Sequence, residues 1–244
     1  MSGSEPTSGA RAARERLIVA LDTPDLAGAE ALVDRRAGVV AHFKVGSILY
    51  TAAGPAAVEM VRKRGARVFL DLKYHDIPAT VTGAVEAAAR LGVGLLTVHA
   101  SGGATMLRAA TAAAQTTGDA RPRILAVTVL TSLDRAALHH ELGVPLAVEG
   151  HAAHLALLAR DAGCDGVVAS PREAARLRLI LGPGAVIVTP GIRPAGGRAD
   201  DQARTATPAA AMRAGADYLV VGRPITGAPD PAAAAAAVLA EMAA

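Results

Sequence analysis

Tryptophan is absent from this 244-residue chain, and the remaining aromatic side chains are three tyrosines and two phenylalanines. So few rings leave no stacking platform for single-stranded nucleic acid, and the core must be built from Ala, Val, Leu and Ile. One cysteine, Cys164, excludes an internal disulfide. It heads the apolar run in "AGCDGVV", which reads as a small buried thiol and makes a reducing cytosol the expected compartment. No apolar stretch reaches the ~18 to 20 residues that span a bilayer, so no membrane partner is expected. Excess charge is lacking too. The formal net charge is +3, and Lys and Arg form no basic stripe, so no nucleic-acid partner is expected either.

The first sixteen residues, "MSGSEPTSGARAARER", are small and polar and lack the apolar segment of a signal peptide. Their Ser, Arg and Ala content faintly resembles a transit sequence, but residues 1–16 read best as a disordered tail. From residue 17 onward two textures alternate. Short β-branched runs stand at 17–21, 40–45, 67–72, 94–99, 124–130, 166–170, 185–189 and 217–222. Between them lie Ala/Leu/Arg segments of helical period at 26–37, 52–64, 79–91, 103–116, 148–162, 171–181, 206–214 and 230–243. Strands separated by helices of this length indicate βα units and a parallel sheet.

The number of units favours a closed (β/α)8 TIM barrel over a doubly wound open sheet. An open sheet needs a glycine-rich phosphate turn after its first strand, and here that strand ends in "ALDTPD". Gly65, Gly163 and Gly215 precede strands three, six and eight, where glycine commonly ends a helix. No linker divides residues 17–244, so they are expected to form one barrel domain.

Barrel enzymes carry their chemistry at the C-terminal ends of the strands. Asp22 ends strand one, Lys44 strand two, and Asp71, Lys73 and Asp76 stand at the end of strand three. Each has a plain structural explanation on its own: an Asp after a strand often caps the next helix, and a lone Lys is usually solvated. His99, at the end of strand four, could simply hold a loop. Barrel closure changes the argument, because it gathers separate strand ends into one mouth. Asp71 and Lys73, two apart on an extended strand, would share one side, roughly 6 to 7 Å apart. After strand seven, "TPGIRPAGGRADDQARTATP" has the glycine and proline content of a ligand-covering lid. "GRPIT" follows strand eight, where barrels commonly build phosphate sites. Arg223 there offers a permanently charged fork suited to phosphate, although a surface salt bridge would also account for it. These residues point to a barrel enzyme acting on a phosphorylated small molecule, without specifying the reaction.

The motifs resemble those of the orotidine 5′-phosphate decarboxylase family. "DLKYHDIPATV" is similar to its D-x-K-x-x-D signature, and "VALDTPD", "FKVGSILY", "VHASGG", "VLTS", "TPGIRP…DDQ" and "VVGRPIT" follow in the family's order. Ala79 departs from the Asn often found there. The resemblance implies that orotidine 5′-phosphate is converted to UMP without metal or cofactor. It implies that Lys73 gives a proton to C6 and that Asp71 lies against the substrate carboxylate. Lys44 would pair with Asp71 and reach the ribose, and Asp22 would bind a ribose hydroxyl. Thr131 would meet the base, and Arg193, Gln202, Gly222 and Arg223 the phosphate. Asp76, Ile77 and Thr80 would enter the site of a second subunit, making a homodimer with shared active sites.

Two further readings are compatible with a barrel. Metal-dependent sugar-phosphate decarboxylases or aldolases reuse D-x-K-x-x-D with added acidic ligands, but here the end of strand two offers Lys44, and Glu59 belongs to the next helix. A non-catalytic nucleotide-binding barrel is opposed by the complete Lys/Asp set. His139-His140 and His151-x-x-His154 lie away from strand ends, and the latter pair lacks the Glu of a zinc-protease helix.

Overall fold

The computed structural model describes residues 13–35, 39–118, 121–195 and 205–244. Eight parallel strands close on themselves in sequence order, with β1 (Leu17–Ala20) paired to both β2 (His42–Gly46) and β8 (Tyr218–Val221). The others are β3 (Arg67–Tyr74), β4 (Leu95–His99), β5 (Arg123–Val127), β6 (Gly166–Val168) and β7 (Val186–Thr189). The chain is a (β/α)8 TIM barrel. Around it lie α1 (Leu26–Asp34), α2 (Ser47–Ala53), α3 (Pro55–Lys63), α4 (Pro78–Arg90) and α5 (Gly103–Gln115). They are followed by α6 (Val148–Asp161), α7 (Pro171–Leu181), α8 (Pro208–Arg213), α9 (Arg223–Thr226) and α10 (Pro231–Ala243).

Alternation along each strand divides the buried side chains into two cores. One fills the barrel with Ile18, Phe69, Leu95, Leu125, Val188 and Val220 among others. The larger core lies between sheet and helices and takes the intervening residues, such as Val19, Phe43, Leu70 and Leu96. The apolar core is aliphatic apart from Phe43, Phe69 and the methionines Met60, Met106 and Met242, and each fully buried Leu, Ile or Phe contributes about 1.5 to 3 kcal/mol.

Three expected boundaries change. The 52–64 helix is two helices, α2 and α3, broken at Gly54, whose φ of 58° suits glycine, with Pro55 opening the second. The expected strand at 124–130 leaves the sheet after Val127; Thr128 still bonds the Val168 carbonyl through both its amide and its hydroxyl. Residues 13–16, counted with the tail from sequence, pack on the barrel base. Ala13 is buried, and the Arg16 guanidinium donates to the carbonyls of Ala216 and Asp217. Residues 1–12 of that tail lie outside the described residues.

The N-terminal face of the barrel is stitched by ion pairs that also hold backbone. Arg178 pairs with Asp217 at 2.5 Å and donates to the carbonyls of Gly182, Ala185 and Gly215. Asp217 accepts the Ile187 amide, and Asp165 pairs with Arg121 while accepting the Ile124 amide.

His42 points into the base of the barrel, almost fully buried, with its ring edge-on to Tyr218 at 5.5 Å. Burial first, and the nearby Arg67 second, lower its pKa from 6.5 to about 4. An unfolded chain therefore binds a proton between these values that the fold refuses, so the folded state is favoured fully above pH 6.5 and loses that advantage as pH falls toward 4. Urea unfolding of His42→Leu at pH 7.5 and 5 should show the acid-side loss reduced by about 2 kcal/mol relative to the unsubstituted protein. An identical loss in both proteins would contradict the assignment.

Candidate active site

The polar residues of the C-terminal face grow directly out of the inward-facing positions. Ile18 and Ala20 face inward on β1, so Asp22 continues that row; His42 does so on β2, which brings Lys44 inward; Phe69 does so on β3, bringing Asp71. The register confirms the alignment, with Ala20 opposite Lys44 and Lys44 opposite Phe69. Asp22 does not cap the following helix. Asp25 takes that role, its carboxylate accepting the Gly28 amide at 2.7 Å.

The charges form an alternating row. Lys44 Nζ lies 3.0 Å from Asp22 Oδ1 and 3.6 Å from Asp71 Oδ2, and Lys73 Nζ is 2.9 Å from Asp71 Oδ1. Exposure divides the row: the Lys44 and Asp71 side chains are each 12% exposed, against 36% for Lys73 and 47% for Asp22. The two inner charges are therefore withdrawn from water, where a lone ion would cost several kcal/mol. Gly46 makes room for this arrangement, because a Cβ there would stand 2.7 Å from Lys44 Nζ.

The pairing of Asp71 with Lys73 is not that of a regular strand. Leu70 is opposite Leu96 and Tyr74 opposite Val98, so β3 advances four residues while β4 advances two. Lys73 sits in this bulge with φ 51°, the only positive φ of a non-glycine among the described residues. Its amide donates to the hydroxyl of Thr97 at 2.9 Å, and that hydroxyl donates to Asp71 Oδ1 at 3.0 Å. The expected same-side placement on an extended strand thus gives way to a bulge that folds the ammonium back onto the carboxylate.

A cavity of about 510 Å³ opens above this row, within the range of small-molecule sites. Asp22, Lys44, Asp71, Lys73, Thr131, Arg193, Gly222 and Arg223 all line it. Its floor is apolar, with Phe69, Val127, Val168 and Val220, and Ile48 and Leu130 also contribute to its wall. Arg223 opens α9, for which Gly222 is the N-cap residue. Arg193 follows β7 and donates to the Ile192 carbonyl, and its amide bonds the Ala206 carbonyl across the base of the β7–α8 loop. Gln202 lies outside the described residues.

Asp76, Ile77 and Thr80 are not brought to this cavity. Asp76 and Thr80 border a separate hollow with Tyr74 and Val81, and Ile77 is 66% exposed. His99 stacks on His75 with ring centroids 5.2 Å apart, and its Nδ1 is 2.7 Å from Ser101 Oγ. Burial, then His75 and Lys73, lower its pKa. Burial also pushes the Cys164 thiol up to about 12, in keeping with an inert residue. Among the described residues no three His, Cys, Asp or Glu side chains converge on a possible metal position, so neither His139-His140 nor His151-His154 has the added ligand it would need. Sequence reasoning missed Gly46 and Thr97. A small residue before a helix and a β-branched residue within a strand carry no outward signal of a role.

Comparison with known proteins places these residues in context. Residues 15–238 match the family model described as Orotidine 5'-phosphate decarboxylase / HUMPS family. The orotidine 5'-phosphate decarboxylase of Moorella thermoacetica is 59% identical over 94% of this chain and 93% of its own. That of Halorhodospira halophila is 56% identical over 94% of this chain and 96% of its own. Among solved structures, orotidine 5'-phosphate decarboxylase from Lactobacillus acidophilus superposes with a TM-score of 0.84 at 37% identity, covering 94% of this chain and all of that one. A (β/α)8 barrel with this mouth and these full-length relatives belongs to the orotidine 5'-phosphate decarboxylase / HUMPS family.

Proposed function

We propose that this protein decarboxylates orotidine 5′-phosphate to UMP, the last step of de novo pyrimidine synthesis. The observation that carries the reading is the Asp22–Lys44–Asp71–Lys73 row beside a cavity that also holds Arg193 and Arg223. Loss of carbon dioxide from C6 leaves an electron pair in the ring plane, where the π system delocalises it little. A cation fixed beside C6 stabilises that pair and can then protonate it. Lys73 fills both roles: its ammonium gives a proton to C6, and solvent returns one to the resulting amine. Asp71 adjoins the substrate carboxylate, and their repulsion is relieved as carbon dioxide departs. Lys44, held between two aspartates, reaches the ribose, and Asp22 binds a ribose hydroxyl.

Thr131 contacts the pyrimidine, while Arg193, Gln202, Gly222 and Arg223 take the phosphate. Binding energy from the phosphate, remote from C6, aligns the ring with Lys73, so substrates lacking it should lose turnover as well as affinity. Asp76, Ile77 and Thr80 serve the neighbouring site of a homodimer. Residues 17–244 act as one catalytic domain in this scheme, and a cytosolic setting suits its unpaired Cys164. Among the described residues no helix is long and apolar enough to cross a membrane.

Four measurements bear on this reading. The ultraviolet absorbance of orotidine 5′-phosphate should fall on mixing with the purified protein, equally with and without EDTA. Lys73→Ala should lower kcat by roughly 10²- to 10⁴-fold or more while UMP affinity stays within a few fold; near-normal turnover would refute the assignment. Gly46→Ala should keep its melting temperature, because φ −99° and ψ −175° suit any residue. Its kcat/KM should nevertheless drop roughly tenfold as the added methyl displaces the Lys44 ammonium; an unchanged value would remove the need for that placement. Mixing inactive Lys73→Ala and Asp76→Ala proteins should restore roughly a quarter of the normal rate if subunits share sites, and none if they do not.

A further inference from the structure

Thr97 lies at the middle of β4, wholly buried and facing the barrel interior between Leu95 and His99. Its hydroxyl occupies the point where the β3–β4 ladder is interrupted. At a bulge the surplus residues lose their backbone partners, and a buried amide without an acceptor is costly. The Lys73 amide is rescued by a side chain: Thr97 Oγ1 accepts it at 2.9 Å. A hydroxyl also has one proton to donate. That proton goes to Asp71 Oδ1 at 3.0 Å, the same oxygen that accepts Lys73 Nζ at 2.9 Å.

These three bonds close a ring. It runs from the Lys73 backbone through the Thr97 hydroxyl and the Asp71 carboxylate to the Lys73 ammonium. The ring holds a lysine whose φ of 51° is unfavourable for any residue with a Cβ and persists only where surrounding bonds over-determine it. Thr97 is absent from the cavity lining, so it reaches the reacting groups only through Lys73 and Asp71.

We propose that Thr97 is a positioning residue for the decarboxylation, its hydroxyl fixing both the backbone turn that aims Lys73 and the rotamer of Asp71. The inference rests on the decarboxylase reading above. Replacing the hydroxyl with a methyl of the same shape opens the ring at two points and leaves the cavity walls intact. The proton donor then samples positions away from C6, while the phosphate and ribose contacts are untouched.

The test is Thr97→Val and Thr97→Ser, each compared with the unsubstituted enzyme for kcat, KM, UMP affinity and melting temperature. Thr97→Val should turn over about 10- to 100-fold more slowly, with KM and UMP affinity within about twofold. Thr97→Ser, which keeps the hydroxyl, should recover most of the rate. A folded Thr97→Val enzyme with normal kcat overturns the proposal, as does a Ser variant as slow as the Val variant. Should Thr97→Val not fold, Thr97→Ala carries the same comparison and the same two outcomes. An unsubstituted protein that releases no UMP overturns the decarboxylase reading itself, and the proposal with it.

Discussion

The Asp71 carboxylate, withdrawn from water at the mouth of a hydrophobic barrel, is the group on which the arrangement of the site depends. A buried ion without partners costs several kcal/mol. Asp71 is held by the Lys73 ammonium and the Thr97 hydroxyl on one oxygen and by Lys44 near the other. Lys44 is balanced in turn by Asp22. The row carries two charges of each sign, so it is neutral before any ligand arrives. Arg193 and Arg223 in the cavity lining add positive charge beside this neutral row.

The two faces of the barrel use ion pairs for different ends. On the N-terminal face, Arg178–Asp217 and Arg121–Asp165 spend their remaining donors and acceptors on strand-start amides and carbonyls. Such pairs register one strand against the next. On the C-terminal face Lys44 and Lys73 direct their ammoniums at carboxylates lining an open cavity. Stability is thereby concentrated at one end and chemistry at the other, the general division of labour in this architecture.

Much of this was legible in the sequence, for identifiable reasons. Eight β-branched runs separated by helical segments allow little besides a barrel, and closure converts residues at the ends of distant strands into neighbours. That is why Asp22, Lys44, Asp71 and Lys73 could be grouped, with Arg223 beyond strand eight, whereas the role of Arg193 came from family resemblance alone. The bulge in β3 was not legible. Glycine announces a left-handed backbone and lysine does not, so Lys73 reads as ordinary strand. Thr97 was hidden for a related reason: a β-branched residue in a β-branched run looks like packing, and only the interrupted ladder gives its hydroxyl a task. The segment "SILYTAA" has too few buried positions to show a clear period, since Leu49 alone of α2 is buried. The placement of Asp76, Ile77 and Thr80 against a second subunit comes from family resemblance, because nothing in one chain tells an exposed residue what it will touch.

The bulge also constrains how this segment can change over evolutionary time. Leu70 and Tyr74 both pack toward the helices, as do Leu96 and Val98 opposite them. The surplus in β3 is therefore an even number, and side-chain parity is the same on entering and leaving it. A single-residue insertion or deletion between Asp71 and Tyr74 would exchange inside for outside in everything that follows up to α4. A substitution at Leu72 alters one side chain and leaves this parity alone, but length changes would have to come in pairs. The spacing of Asp71 and Lys73 within the signature is in this sense a counting rule imposed by the pleat.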